Sequence, residues 1–164
     1  MAEPARAIAH VGITVPDMDA AIEWYSKVFG MRPIKEVGVL AMGLNGPIDD
    51  LCVDIFGDEF ESVKVAHLSA ANGVIVELFE FSKPAYEKDE PSFRYWRGGI
   101  FHFAVIAEDV EHLVDVITTN GGRARSMIGR LSEIKDTRAV YCEDPWGTVI
   151  EVISESDERA WSNL

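Results

Sequence analysis

The chain has 164 residues, with 15 Lys and Arg against 28 Asp and Glu, for a formal net charge of −13. At 48% hydrophobic and 26% charged residues it has the composition of a globular domain, which excludes a disordered or low-complexity segment. The acidic balance lacks the basic footprint that nucleic acid or an anionic membrane surface demands, so neither is expected as a partner.

The opening MAEPARAIAH has no apolar leader core, and no run reaches the ~18 apolar residues of a membrane span. Cys52 and Cys142 form no CxxC motif, so two buried thiols and a reducing, cytoplasmic setting are expected.

In chain order, Val11, Ile13 and Val15 alternate with His10, Gly12 and Thr14, the period of a strand. Asp17 follows as a helix N-cap, and Met18, Ala21, Ile22, Tyr25, Val28 and Phe29 fall at helical spacing. Gly30 is placed to end that helix in the left-handed conformation. Strands are expected near 34–40, 62–69 and 74–81, the last two joined by a turn at Ala71-Asn72-Gly73. Residues 42–61 are Gly- and Asp-rich and read as a loop with a short helix or strand. Residues 82–99, with two prolines and dense charge, read as a linker. Its Phe93, Tyr95 and Trp96 are expected to pack as a lid or a dimer contact.

From residue 100 the pattern begins again. At a constant offset of 92, Ile8 matches Ile100, His10 matches His102, Asp17 matches Asp109 and Gly30 matches Gly122. Val110, Leu113, Val114 and Ile117 make the second helix stripe, and Gly121-Gly122 stops it. Strands are expected near 125–131, 137–142 and 147–154, with a turn at Asp144-Pro145-Trp146-Gly147. The chain therefore reads as α+β, two βαβββ half-modules over about 8–81 and 100–154, forming a concave metal-binding cleft within a single domain spanning residues 1–164.

Residues two apart in a strand share a face. With Val11, Ile13 and Val15 under the helix, His10 faces the bare side of its sheet, and His102 does the same in the second module. Glu77 lies between Val76 and Leu78, and Glu151 between Ile150 and Val152. A carboxylate inside an apolar strand is costly to bury unless it is paired or bound, and here it recurs at one place in both modules. Two imidazoles and two carboxylates suit a divalent metal with positions open for water or substrate. Ni, Zn, Co, Mn and Fe all accept such mixed nitrogen and oxygen ligands. Phe79 and Phe81 share the face of Glu77 and are expected to line the cleft. Arg94, Arg97 and Arg138 are candidates to hold an anionic substrate. His67, in the middle of VKVAHLS, reads as a packed or hydrogen-bonded strand residue.

The strings HVGITVPDMDAAIEWYSKVFGM, VIVELFEF, FHFAVIAEDVEHLVDVITTNGG and YCEDPWGTVIEVI resemble the vicinal oxygen chelate superfamily over residues 8–154. That superfamily includes glyoxalase I, methylmalonyl-CoA epimerase, extradiol dioxygenases and the fosfomycin and bleomycin resistance proteins. The resemblance implies metal ligands at His10, Glu77, His102 and Glu151, and a homodimer acting on a small-molecule substrate.

The His, Glu, His, Glu set is similar to that of glyoxalase I. It implies a lyase or isomerase in which a ligand carboxylate, Glu151 first and Glu77 second, moves a proton between adjacent carbons through a metal-stabilised enediolate. Thr14 and Phe81 stand where bacterial glyoxalase I carries the Arg and Asn that grip glutathione, which implies a substrate other than a glutathione adduct. The alternatives within the superfamily are an epimerase, an extradiol dioxygenase, and a resistance or binding protein that sequesters a ligand. Val65 stands near the place of the additional base of methylmalonyl-CoA epimerase and cannot serve as one.

Overall fold

The computed structural model describes residues 3–43 and 47–162. The chain divides into two compact units with the boundary after Glu87, inside the stretch expected as a linker.

The first unit contains β1 (His10–Thr14), α1 (Met18–Phe29), β2 (Arg32–Pro33), β3 (Gly38–Ala41), α2 (Pro47–Phe56), β4 (Ser62–Ser69) and β5 (Ile75–Phe81). Its sheet runs β1-β5-β4-β2, with β3 also on β4; β1 is parallel to β5, and the other pairs are antiparallel. The sequence explains where α1 starts. The Asp17 carboxylate accepts the N–H of Ala20 at 3.0 Å, and the N–H of Met18 is taken by Glu80 at 2.6 Å, itself held by Lys64 at 2.7 Å. Met18, Ala21, Trp24, Tyr25 and Val28 bury one side of α1 against β4 and β5. On the sheet, Ile13, Val76 and Leu78 meet that side, and Leu78 is wholly buried. Gly30 closes the helix at φ 65°.

The second unit contains β6 (Phe103–Ile106), α3 (Val110–Thr119), β7 (Arg123–Ala124), β8 (Gly129–Arg130), β9 (Arg138–Glu143), β10 (Val149–Ile153) and α4 (Asp157–Trp161). Its sheet runs β6-β10-β9-β7, with β8 also on β9, the same order as the first. Asp109 caps α3 by accepting the N–H of His112 at 2.9 Å. Val110 and Ile117 are wholly buried. The α+β, twice-repeated βαβββ arrangement expected from the sequence is the observed one.

One detail differs from the sequence reading. The second strand of each module is broken into two short pieces. In the second unit the hydroxyl of Ser126 accepts the N–H of Tyr141 at 3.1 Å, taking the place of a ladder carbonyl. In the first unit the Ile34 N–H still donates to the His67 carbonyl at 3.0 Å, after which the chain leaves the sheet until β3, with Val37 exposed. The insertion at 42–61 carries a helix, α2, one of the two forms expected there; residues 44–46 lie outside the described residues. The offset of 92 between His10 and His102 falls to 74 between Glu77 and Glu151, and the 18-residue difference is taken up by α2 and its flanks. The polar tail also forms a short helix, α4, with Ser156 as its cap.

The repeat also pairs glycines with different tasks. Gly30 is left-handed and open, with no atom within 4 Å of a Cβ placed on it. After α3 it is Gly121, at φ 88°, that takes the left-handed turn, while Gly122 is required for space.

Candidate metal-binding pairs

In the first unit the β1–β5 register sets Gly12 beside Glu77, so His10 stands two residues away on the same face. His10 Nε2 lies 3.4 Å from Glu77 Oε2. In the second unit His102 immediately precedes β6, whose register sets Ala104 beside Glu151, and His102 Nε2 lies 3.1 Å from Glu151 Oε2. Both glutamates are mostly buried, at 16% side-chain exposure, while His10 is half exposed and His102 a quarter exposed. Each unit thus brings its own predicted pair together, by the same register.

The pairs fit a divalent ion in chemistry and spacing. Two donors about 2.1 Å from one ion and near a right angle to each other stand about 3 Å apart. Imidazole nitrogen with carboxylate oxygen is the donor mixture of first-row transition metals. The buried Nδ1 of His102 has no hydrogen-bond partner among the described residues, so the ring's polar contact is made through Nε2. No group of three or more His, Cys, Asp or Glu side chains among the described residues is arranged to hold one ion.

Two residues that the sequence reading left in the background stand directly across from the glutamates. His67 on β4 is the register partner of Glu77, and its Nε2 lies 2.9 Å from Glu77 Oε1. Tyr141 on β9 is the register partner of Glu151. Burial, with the Glu151 charge as a smaller cause, raises the Tyr141 phenol above its ordinary pKa. The Tyr141 ring meets His102 edge-on at 5.2 Å and also packs on Phe93 and Phe101. The signal for both residues lay in the hairpins. His67 and Glu77 are each five residues from Asn72, and Tyr141 and Glu151 are each five residues from Trp146.

The other candidates are placed as follows. Phe79 and Phe81 do share the face of Glu77, where they stack on each other at 6.0 Å. They belong to a hydrophobic cluster with Cys52 and Phe56 of α2 and Phe60 beyond it, so the inserted helix covers this part of the sheet. Arg94 pairs with Asp89, and Arg97 lies 3.9 Å from the same carboxylate. Arg138 pairs with Glu111 of α3. It alternates with Tyr141 along β9, so it stands on the helix face and is not brought to Glu151. Arg123, Arg125 and Ser92 gather instead on Glu143, a carboxylate only 1% exposed. This clamp seats Ser92, and with it Phe93, against β9. Both cysteines are buried, and burial pushes the Cys142 thiol up to about 11, which leaves it an inert core residue.

The chain matches the model of the Glyoxalase/Bleomycin resistance protein/Dioxygenase superfamily over residues 7–152, and it belongs to that superfamily. It is 28% identical over 155 residues to a 2-epi-5-epi-valiolone epimerase of Actinomyces sp., an alignment covering 92% of this chain and 80% of the epimerase. It is 24% identical over 149 residues to a lactoylglutathione lyase of Arabidopsis thaliana, covering 90% of this chain and 44% of that longer protein. A glyoxalase family protein of Bacillus cereus shares the fold, with a TM-score of 0.73 at 19% identity over 94% of this chain and 98% of the other. No helix among the described residues is long and apolar enough to cross a membrane.

Proposed function

We propose that the protein is a divalent-metal-dependent enzyme that moves a proton at carbon on a small oxygenated substrate, a lyase or isomerase of glyoxalase I type. The observation that carries this reading is the His–Glu pair repeated at one register position in both units. His10, Glu77, His102 and Glu151 are proposed as the ligands of nickel, zinc, cobalt, manganese or iron. The metal when bound supplies Lewis acidity, polarising a substrate carbonyl and offsetting the negative charge that develops on its oxygen.

The remaining chemistry falls to the chain. His10 and His102 bind through Nε2 as neutral imidazoles. Glu151 is the general base: one carboxylate oxygen takes a proton from the carbon beside the carbonyl and delivers it to the neighbouring carbon. Phe93 and Tyr141 limit water on that side of the His102–Glu151 pair. Thr14 and Phe81 supply no cation or amide for a glutathione chain, so the substrate is small. A homodimer in the cytoplasm completes the reading.

The likeness to the valiolone epimerase, which extends over most of both chains, favours epimerisation as the second reading. There the carbon that loses its proton to Glu151 is reprotonated with inverted configuration. Both readings predict that the metal-loaded protein in deuterium oxide incorporates deuterium beside the carbonyl of a substrate drawn from small α-hydroxy ketones and 2-oxoaldehyde–thiol adducts. Mass spectrometry scores the exchange, and product stereochemistry separates isomerase from epimerase. Tight binding of a panel member without exchange, under every one of the five metals, would point to a sequestering protein.

A further inference from the structure

The two units differ in the residue across from each glutamate. Across from Glu77 stands an imidazole, and across from Glu151 stands a phenol. Glu77 has separate partners for its two oxygens: His67 Nε2 at 2.9 Å on Oε1, and His10 Nε2 at 3.4 Å on Oε2. His67 Nδ1 is buried and has no hydrogen-bond partner among the described residues, so the contact with Glu77 is made by Nε2. His67 is fixed on the central strand β4 and Glu77 on β5, as direct cross-strand neighbours in an unbroken ladder.

We propose that His67 is a positioning residue for Glu77. Its Nε2–H donates to Oε1 and turns Oε2 toward His10, so that Glu77 presents one oxygen to the ion and is held there. The inference rests on the metal-binding reading above and deepens it. A carboxylate held by a hydrogen bond from a rigid neighbouring strand loses less freedom on binding an ion, and such outer partners are worth about 10- to 100-fold in metal affinity. Glu151 has no imidazole across from it. Glu77 therefore has an imidazole on each of its oxygens, whereas His102 is the one imidazole beside Glu151 among the described residues. His67 is assigned as a hydrogen-bond donor because it and His10 approach different oxygens of Glu77.

The test uses the full chain, stripped of metal, and cobalt(II) as the probe. Cobalt affinity is measured by visible absorption and competition for the wild type, His67→Ala and His67→Gln, with circular dichroism confirming the fold. His67→Ala is expected to weaken cobalt by about 10- to 100-fold. His67→Gln, whose side-chain amide can still donate to Glu77, is expected to recover most of that loss. Should His67→Ala not fold, His67→Leu fills the space without a donor and takes its place.

Equal cobalt affinity in the wild type and a folded non-donor variant would overturn the positioning role and leave the metal reading standing. Loss of cobalt in both the non-donor and the Gln variants would overturn it in favour of His67 as a ligand. A wild type that binds no cobalt would remove the metal reading and this inference together.

Discussion

Glu151→Gln is expected to lower turnover by about 10²- to 10⁴-fold, the range ascribed to a positioned acid–base group, while the protein remains folded. The substitution is nearly isosteric, so packing beside Val149, Ile150, Val152 and Ile153 on β10 is retained. The amide oxygen can still face His102, but the amide cannot take up a proton from carbon. Substrate affinity should change little, so the loss falls on kcat rather than on KM. Glu77→Gln should separate the two carboxylates. It removes charge from the ligand set without removing the base, so its main effect is expected as weaker metal binding, with partial recovery of turnover at high metal concentration. If Glu77→Gln abolishes turnover at saturating metal while Glu151→Gln leaves it intact, the roles are reversed.

Gly122→Ala is expected to destabilise the second unit by about 3 kcal/mol, the upper end of the usual overpacking range. A Cβ at this position would sit 2.6 Å from the carbonyl oxygen of Glu143, 2.6 Å from Ile117 Cγ2 and 3.1 Å from the carbonyl oxygen of Ile117. Two of those three atoms are backbone, so no change of rotamer relieves the contact. Either the last turn of α3 or the end of β9 must move. Movement of β9 would disturb Glu143, which Arg123, Arg125 and Ser92 hold in place, and Tyr141 two residues before it. Gly129→Ala is the matched control. Gly129 has a negative φ, and a Cβ there meets nothing within 4 Å, so its stability should stay within about 0.5 kcal/mol. Urea unfolding of the two variants checks this. A Gly122→Ala protein as stable as the wild type would show that α3 and β9 can separate freely.

Gly30 and Gly122 show what a linear sequence conveys and what it conceals. The repeat pairs Gly30 with Gly122, and both stand after a helix. One serves through its dihedral angle and the other through its missing side chain, a difference that depends on how closely α3 approaches β9. The His and Glu pairs were legible because alternation fixes which face a residue occupies, and the repeat supplied the same pattern twice. His67 and Tyr141 were harder to see, since their role depends on the register across a hairpin. Their equal distances from Asn72 and Trp146 held that information, but only for a tight and symmetric turn. The break in the second strand of the second unit was hidden for another reason: a hydroxyl, Ser126, replaces a backbone acceptor. Arg138 read as a substrate cation because it is charged and inside a strand; its partner Glu111 and its alternation with Tyr141 along β9 put it on the helix face.

Metal binding is the claim on which the chemistry rests, and elemental mass spectrometry of the gently purified protein tests it directly. About one divalent ion per chain is expected in the wild type, with loss of that ion in both Glu77→Ala and His102→Ala. A wild type that carries no metal and gains no thermal stability from nickel, zinc, cobalt, manganese or iron would contradict the account. So would variants that keep the ion of the wild type.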